Sequence, residues 1–455
     1  MRQFDVIVVG AGTAGCMTAK TAAKAGLKVC LVDGKKRVEI GEKVCADAVG
    51  KHHFDELGLA YPEGKELASR VEGVKIYSPD QETVFTVKSE RVYGFILNRR
   101  TFGQRLLNDA VDTGATLLAS TIATQPIVKD GFVTGIIAKD MKNETTMTLQ
   151  SKVIADASGY TAILRKGLPT ELGIDLNVQN EDIEACYREI RALKGHDFDS
   201  KFCEIYLDQT VTPSGYHWIF PEGENKVNVG LGVSMIAGFP NPKNQFHQKI
   251  LPKPLFEGSK LIKGGSWCVP TRRPLDCMTG NGVVVVGDAA CQVNPIHGGG
   301  IGPSMMGGNL AGKAIVQAVE KGDVTRESLW QYNVNYMKSY GAKQAGLDIF
   351  RLFLLKSCGN EEINYGMKYN LIREEDLLKV SQGENLRLNI TDKTRRAFYG
   401  FGKLKMLRRL LDTSHMLKEF KSAYVDYPSS PEGFSEWREK TSEIIGEAKK
   451  RLSRR

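Results

Sequence analysis

Near the start of the chain, Gly10-Ala11-Gly12-Thr13-Ala14-Gly15 places three glycines at the spacing that lets a backbone turn tightly and approach a charged group. The stretch follows an apolar run, Phe4-Asp5-Val6-Ile7-Val8-Val9, and precedes small residues suited to a closely packed helix. Asp33 ends the next apolar run, 18 residues beyond Gly15. Strand, glycine turn, helix and acidic strand end together form a dinucleotide-binding fingerprint. Gly10, Gly12, Ala14 and Gly15 shape the turn, backbone N–H groups and the helix dipole face a pyrophosphate, and Asp33 accepts from the ribose hydroxyls. The fingerprint alone does not choose between a nicotinamide and a flavin dinucleotide.

Two further stretches carry chemistry. Val286-Gly287-Asp288-Ala289-Ala290 is followed by Pro295-Ile296-His297-Gly298-Gly299-Gly300-Ile301-Gly302-Pro303. Glycines there let backbone pass close to a flat ring, and Pro303 suits the first turn of a helix, where its missing N–H costs nothing. The N-terminus of that helix would stabilise negative charge on a reduced ring. The other stretch is Tyr216-His217-Trp218-Ile219-Phe220-Pro221, with Gly230-Leu231-Gly232 following eight residues later. Alternation on a strand puts Tyr216, Trp218 and Phe220 on one face, a pattern that fits an aromatic binding wall and also fits core packing.

Taken together these stretches resemble flavoproteins of the para-hydroxybenzoate-hydroxylase type, and among them the geranylgeranyl reductases of archaeal, Sulfolobus type. The likeness runs over roughly residues 1 to 340 and thins beyond. It implies FAD as the cofactor, with the ribitol on Asp288 beside Gly287 and Arg99 near the flavin pyrophosphate, and Ala155-Asp156-Ala157-Ser158-Gly159 resembles the family's Asp-Gly motif with the glycine displaced by two positions, which implies that Asp156 also binds the cofactor. Cys45, in Gly41-Glu42-Lys43-Val44-Cys45-Ala46-Asp47, matches the cysteine those proteins set beside the isoalloxazine, although Ala46 stands where the family usually has glycine. The Tyr-x-Trp-x-Phe-Pro and Gly-x-Gly pair matches the reductase signature. By this likeness Tyr216, Trp218 and Phe220, with Pro295 and His297, hold a polyene, and Cys45, Tyr216 and Trp218 are the catalytic candidates. Gly298, Gly299, Gly300 and Ile301 border the flavin. His52 and His53 fall on a following helix, one of them facing solvent, and take no role.

The expected activity is saturation of carbon–carbon double bonds in geranylgeranyl chains on pyrophosphate or membrane lipid, by hydride from the reduced flavin plus a proton. A thiol near its usual pKa of about 8.5 is a weak acid towards an unactivated alkene. No second nucleotide fingerprint is seen, so the electron donor is either a ferredoxin or an NAD(P)H-linked partner. Two other readings share parts of the pattern. One is a flavin monooxygenase acting on an aromatic or lipid, and the other a prenyl-binding carrier resembling GDP-dissociation inhibitors.

The elements that must position these residues are legible in outline. The first 33 residues read as a βαβ unit, short strands follow between about 71 and 98, and an amphipathic helix starts near Thr101. A strand group from Leu117 to Val153 contains a hairpin at Lys129-Asp130-Gly131. Alternation at Glu184-Ala185-Cys186-Tyr187-Arg188 and Lys226-Val227-Asn228-Val229 predicts antiparallel strands with one wet face. Val283 to Val286 reads as a buried parallel strand, and a helix is predicted over 301–321. The resulting fold is α/β. It comprises a Rossmann-like FAD-binding domain (1–170 plus 271–340, interrupted by the strands near 71–98), an antiparallel β substrate domain (171–270) and a helical, basic C-terminal region (341–455).

Composition bounds the rest. At 455 residues, 42% hydrophobic and 25% charged, the chain is ordinary globular material, and no segment reaches the roughly 18 apolar residues of a membrane span. The strand pattern at the start leaves no room for a signal peptide, so a cytoplasmic location is expected. Nine cysteines without a Cys-x-x-Cys pair suggest neither a disulfide framework nor a zinc site, and no metal is expected. The net charge is +9, and residues 393–455 hold 16 Lys and Arg against 8 Asp and Glu. That tail fits a solvated helical surface, and it also fits peripheral contact with anionic headgroups. No recognition motif for nucleic acid accompanies it.

Overall fold

The computed structural model describes residues 2–89, 93–195, 198–371, 373–381 and 404–452. The opening βαβ unit forms as the pattern requires: strand Arg2–Val9, helix Thr13–Lys24, strand Val29–Asp33. Strand Arg2–Val9 is buried from Val6 to Val9 and pairs in parallel with Val29–Asp33 on one side and Thr145–Asp156 on the other. Such a run has no wet face to alternate towards. Strand Val283–Val285 extends the sheet in parallel beyond Thr145–Asp156, and Thr116–Ala119 closes the opposite side. The predicted hairpin joins Thr121–Lys129 to Phe132–Asp140, with Asp130 and Gly131 both at positive φ, 50° and 77°, as a two-residue turn of that hand needs.

Helix Ile301–Lys321 has the predicted bounds and packs across helix Thr13–Lys24. The helix expected near Thr101 begins two residues earlier and runs Arg99–Asp112, because the Asn98 side chain caps it by accepting from the Thr101 amide at 3.2 Å.

A second sheet of seven strands orders Lys260–Pro270, Ile183–Ala192, Lys226–Ser234, His217–Pro221, Phe202–Tyr206, Gly73–Tyr77 and Val84–Lys88. The last two come from the segment treated above as an interruption of the FAD-binding domain. They join this second sheet through a parallel pairing of Gly73–Tyr77 with Phe202–Tyr206. Expectation and structure also part over the wet face of Ile183–Ala192. Glu184, Arg188 and Glu189 are all buried, so the polar residues of this strand do not face solvent.

Helices Leu404–Val425 and Phe434–Leu452 fold back over helix Ala342–Leu354, with Trp330, Tyr427, Phe434 and Trp437 stacked at their junction. Part of the basic tail, residues 393–403 and 453–455, lies outside the described residues. Within the rest, Arg438 pairs with Asp175 and Lys449 with Glu181, so some of the charge ties the last helix to the body. Among the described residues no helix is long and apolar enough to cross a membrane. Among the described residues no two cysteines are joined in a disulfide.

Candidate functional site

At the carboxyl end of Arg2–Val9 the glycine turn is built by steric necessity. Gly10 has φ +102°, and a Cβ on Gly15 would stand 1.8 Å from the Gly10 carbonyl oxygen. A Cβ on Gly12, by contrast, would meet nothing within 4 Å. That open space lies at the start of helix Thr13–Lys24, whose first turn has no side-chain cap, so its N–H groups are left for an anion. Asp33 holds the turn by accepting from the Ala11 amide at 2.8 Å and from the Lys35 amide at 2.8 Å. Ala14 is buried against Gly287, its Cβ 2.8 Å from the point where a Gly287 Cβ would stand, so its small size serves packing.

Apart from Asp156, the remaining candidates converge on one cavity of about 790 Å³, walled by the seven-stranded sheet, the segment 43–50 and the loop 294–300. Its polar end is bordered by Lys43, Cys45, Ala46, Arg99, Asp288 and the run Gly298, Gly299, Gly300 and Ile301 at the start of the long helix. Asp288 follows Gly287 in the turn after Val283–Val285, is 7% exposed and pairs with Lys43 Nζ at 2.5 Å. Arg99, the first residue of its helix, has a side chain 9% exposed and keeps Nε and Nη1 without hydrogen-bond partners, the nearest acid being Asp47 at 3.7 Å. A buried guanidinium with unmatched donors beside a helix start and an open glycine turn suits a phosphate-bearing cofactor. These residues therefore fit a flavin dinucleotide.

Asp156 departs from the implied role. Its carboxylate is turned into the protein, where Oδ1 accepts from the Ser158 amide and hydroxyl and Oδ2 from the Arg165 amide at 2.7 Å. Each oxygen is already engaged in fixing the turn after its strand.

The other end of the cavity is apolar. Tyr216, Trp218 and Phe220 line it with ring centroids 6.1 and 6.4 Å apart, and Val71, Val74 and Ile205 continue the wall. Room for it comes from Gly230, where a Cβ would stand 2.5 Å from Trp218 Cζ2. Tyr216 donates its hydroxyl to the His297 carbonyl at 2.6 Å, which ties the aromatic strand to the loop Pro295–Gly300. Trp218 Nε1 donates to Asn228 Oδ1 at 3.1 Å.

Several residues in the cavity wall and behind it went unrecognised in the sequence. The Cys45 carbonyl accepts from Arg188 Nε at 3.0 Å and Asn228 Nδ2 at 2.9 Å, and Asn228 also donates to Asp47 Oδ2 at 3.0 Å. This network sets the Cys45 thiol, whose sulfur accepts from the Asp47 amide at 3.3 Å. Burial pushes the thiol up and keeps it protonated. Burial also pushes the Asp47 carboxyl up to about 7, against the pull of Arg188 and Arg99. For Arg188 the signal was charge on alternate positions of its strand, while Asp47, which precedes a strand, and the uncharged Asn228 left none. Glu184, from the same strand as Arg188, lines the cavity too.

His52 and His53, given no role above, both line the cavity and neither is fully exposed. His53 Nδ1 lies 2.8 Å from the Tyr340 hydroxyl, which donates to Glu56 at 2.6 Å. Tyr340 belongs to a distant stretch, and that contact could not be read locally.

The profile of the family described as geranylgeranyl reductase catalytic domain matches residues 182–265, the heart of the seven-stranded sheet, and that of lycopene cyclase protein matches residues 5–186. The digeranylgeranylglycerophospholipid reductase of Sulfolobus acidocaldarius is 43% identical over 99% of this chain and 99% of its own length. That of Methanothrix thermoacetophila is 35% identical over 85% of this chain and 95% of its own. Among solved structures, a geranylgeranyl bacteriochlorophyll reductase-like protein from Thermoplasma acidophilum superposes with a TM-score of 0.76 at 23% identity, covering 91% of this chain and all of that one. The flavin-dependent brominase Bmp2 superposes with a TM-score of 0.63 at 18% identity over 90% of this chain and all of its own, a likeness of fold. The chain belongs to the family of digeranylgeranylglycerophospholipid reductases.

Proposed function

We propose that this protein is an FAD-dependent reductase that saturates the double bonds of geranylgeranyl chains carried on glycerophospholipid. The observation that carries the reading is a single cavity in which Arg99, Asp288 and the Gly298–Gly300 run meet the Tyr216, Trp218 and Phe220 wall. Lys43, Arg99 and Asp288, with the glycine turn at Gly10–Gly15 and Asp33, would hold the flavin nucleotide. When bound and reduced, it supplies hydride.

The protein's own work is positional. An isolated double bond has no carbonyl to absorb charge, so the rate rests on alignment and on excluding water. Apolar walls contribute about 0.8 kcal/mol for each methylene they bury, and a chain of four isoprene units is held at many points. The Tyr216 to His297 hydrogen bond keeps the wall in register with the loop that borders the ring. Electrons come from a ferredoxin or an NAD(P)H-linked donor, and the basic helices Leu404–Val425 and Phe434–Leu452 rest on the membrane surface that carries the substrate.

Anaerobic incubation of the dithionite-reduced protein with geranylgeranyl lipid tests the reading, the product gaining two hydrogens per bond. Oxygen consumed in step with substrate would indicate a monooxygenase instead. A colourless protein that cannot be loaded with flavin would indicate a carrier.

A further inference from the structure

Three acids are buried in the cavity wall: Asp47, Asp288 and Glu184. Asp288 is paired with Lys43, and Asp47, although burial raises it too and its Oδ1 accepts no hydrogen bond, has a guanidinium against each oxygen, Arg99 Nε 3.7 Å from Oδ1 and Arg188 Nη2 3.5 Å from Oδ2. Among the described residues Glu184 has a cation near one oxygen alone. The residue is 6% exposed, its Oε1 faces the Thr271 hydroxyl at 3.5 Å and Lys356 Nζ at 3.9 Å, and its Oε2 has no hydrogen-bond partner.

That oxygen is itself buried against the backbone before Tyr216, 3.2 Å from where a Cβ on Gly215 would stand and 3.9 Å from the equivalent point on Gly232. Gly215 precedes Tyr216, whose hydroxyl holds the His297 carbonyl. Across the sheet Glu184 is in register with Val269, and Val269 Cγ1 lies 3.8 Å from the Cβ position of Gly298. The carboxyl is thus set between the aromatic wall and the glycine run.

We infer that Glu184 is the proton donor of the reduction, its free oxygen handing a proton to one carbon of the double bond as the other receives hydride. The assignment rests on the reductase reading above. The π bond is consumed and two C–H bonds form, one from the carboxyl proton and one from hydride. The two electrons are those of the reduced cofactor, and the carboxyl is left as carboxylate. Lys356 restores the proton from its ammonium group, which also donates to the Glu181 carbonyl at 2.6 Å and the Ser234 hydroxyl at 2.7 Å.

Acid strength supports the choice over Cys45. Burial pushes Glu184 up to about 7, while Lys356, Arg351 and the Thr271 hydroxyl pull it down and Asp182 adds to the rise. It is therefore still protonated near neutrality. Burial pushes the Cys45 thiol higher still, which makes it the poorer donor.

The test uses Glu184→Gln, close to the native side chain in shape. In the flavin-loaded, dithionite-reduced protein the variant should form saturated product about 100-fold more slowly or worse, with flavin absorbance and substrate affinity unchanged. The alkaline fall in the wild-type rate near pH 7 should vanish, and Glu184→Asp, with a shorter reach, should keep part of the rate and a displaced limb. A readout without cofactor is the infrared absorption of protonated carboxyls that titrates near pH 7, to which Asp47 and Glu222 also contribute and which should be smaller by one carboxyl in Glu184→Gln. A variant rate within about threefold of wild type with the same alkaline limb, or an infrared titration unchanged by the substitution, overturns the assignment. If Glu184→Gln does not fold, an unshifted limb and full rate in Glu184→Asp has the same consequence. Should wild type itself yield no saturated product, the reductase reading fails, an outcome separate from the infrared result.

Discussion

Arg99 brings a guanidinium into the cavity and leaves two of its nitrogens unmatched. Hydrogen bonds to a charged partner contribute about 1.5–3 kcal/mol, so filling those donors with an anionic group is a large gain. Replacing Arg99 with Met should then weaken flavin binding by roughly 10- to 100-fold, measured by titrating cofactor-free protein with FAD. Glu184 predicts an effect of opposite sense on stability. Its folded-state pKa of about 7 lies above that of an unfolded glutamate, so its contribution is fully present below about pH 4.5 and is lost as pH rises through 7. Glu184→Gln should be more stable than wild type at pH 8 by roughly 1–3 kcal/mol, and no more stable at pH 5, in denaturant titrations. Stability lost for function in this way is common at sites that must hold a group out of its preferred state. Cys45, Asp288 and the aromatic triplet were readable because their motifs are chemically conspicuous. Arg188 and Glu184 were not, since charge on alternate strand positions describes a wet surface equally well, and only the packing of the sheet over the cleft turns that face inward.

Among the elements, those fixed by local chemistry were legible. The Asp130-Gly131 turn specifies its hairpin, and small residues with Pro303 near the start specify helix Ile301–Lys321. The pairing of Gly73–Tyr77 with Phe202–Tyr206 was not, because a parallel register across 129 residues leaves no local mark in either strand. Strand Lys226–Ser234 shows how an element makes the cavity by withholding side chains. A Cβ on Gly230 would stand 2.5 Å from Trp218 Cζ2 and 2.7 Å from the Tyr187 carbonyl oxygen, one of them a backbone atom that cannot swing aside. Gly230→Ala should push Trp218 into the cavity and destabilise the fold by about 1–3 kcal/mol, as overpacking of a filled core does. The measurable outcome is a lower Tm with a larger fractional loss in turnover on geranylgeranyl chains than on shorter prenyl chains. Equal losses on both would show that the wall is packing alone.

At the scale of the whole molecule, the parts are joined by a buried ionic network. Arg351, in helix Ala342–Leu354, pairs with Asp182 at 2.7 Å and Asp348 at 2.7 Å. Arg273 lies 3.6 Å from both Asp276 and Asp348, and Tyr424 of helix Leu404–Val425 donates to Asp276 at 2.9 Å. The start of strand Ile183–Ala192, the segment 273–276 and the helical region therefore share one set of charges, and Asp182 stands two residues from Glu184. Burial works to raise the Asp182 carboxyl, but Arg351 and Arg272 outweigh it and hold the group down to about 2. A carboxyl depressed in this way contributes stability that is present above its unfolded pKa near 4 and is lost as pH falls from there through 2. Arg351→Met leaves two buried carboxylates without their main partner, a change that costs about 3–5 kcal/mol. Acid unfolding of that variant, followed by circular dichroism, should begin at least one pH unit higher than in wild type, because the variant enters the acid range with the stability that the depressed Asp182 carboxyl supplied already missing. The two proteins should differ least below about pH 2, where Asp182 is protonated in both. Coincident acid transitions would show that the network is replaceable by apolar packing, and that the three regions are held together by the aromatic junction at Trp330, Tyr427 and Trp437 instead.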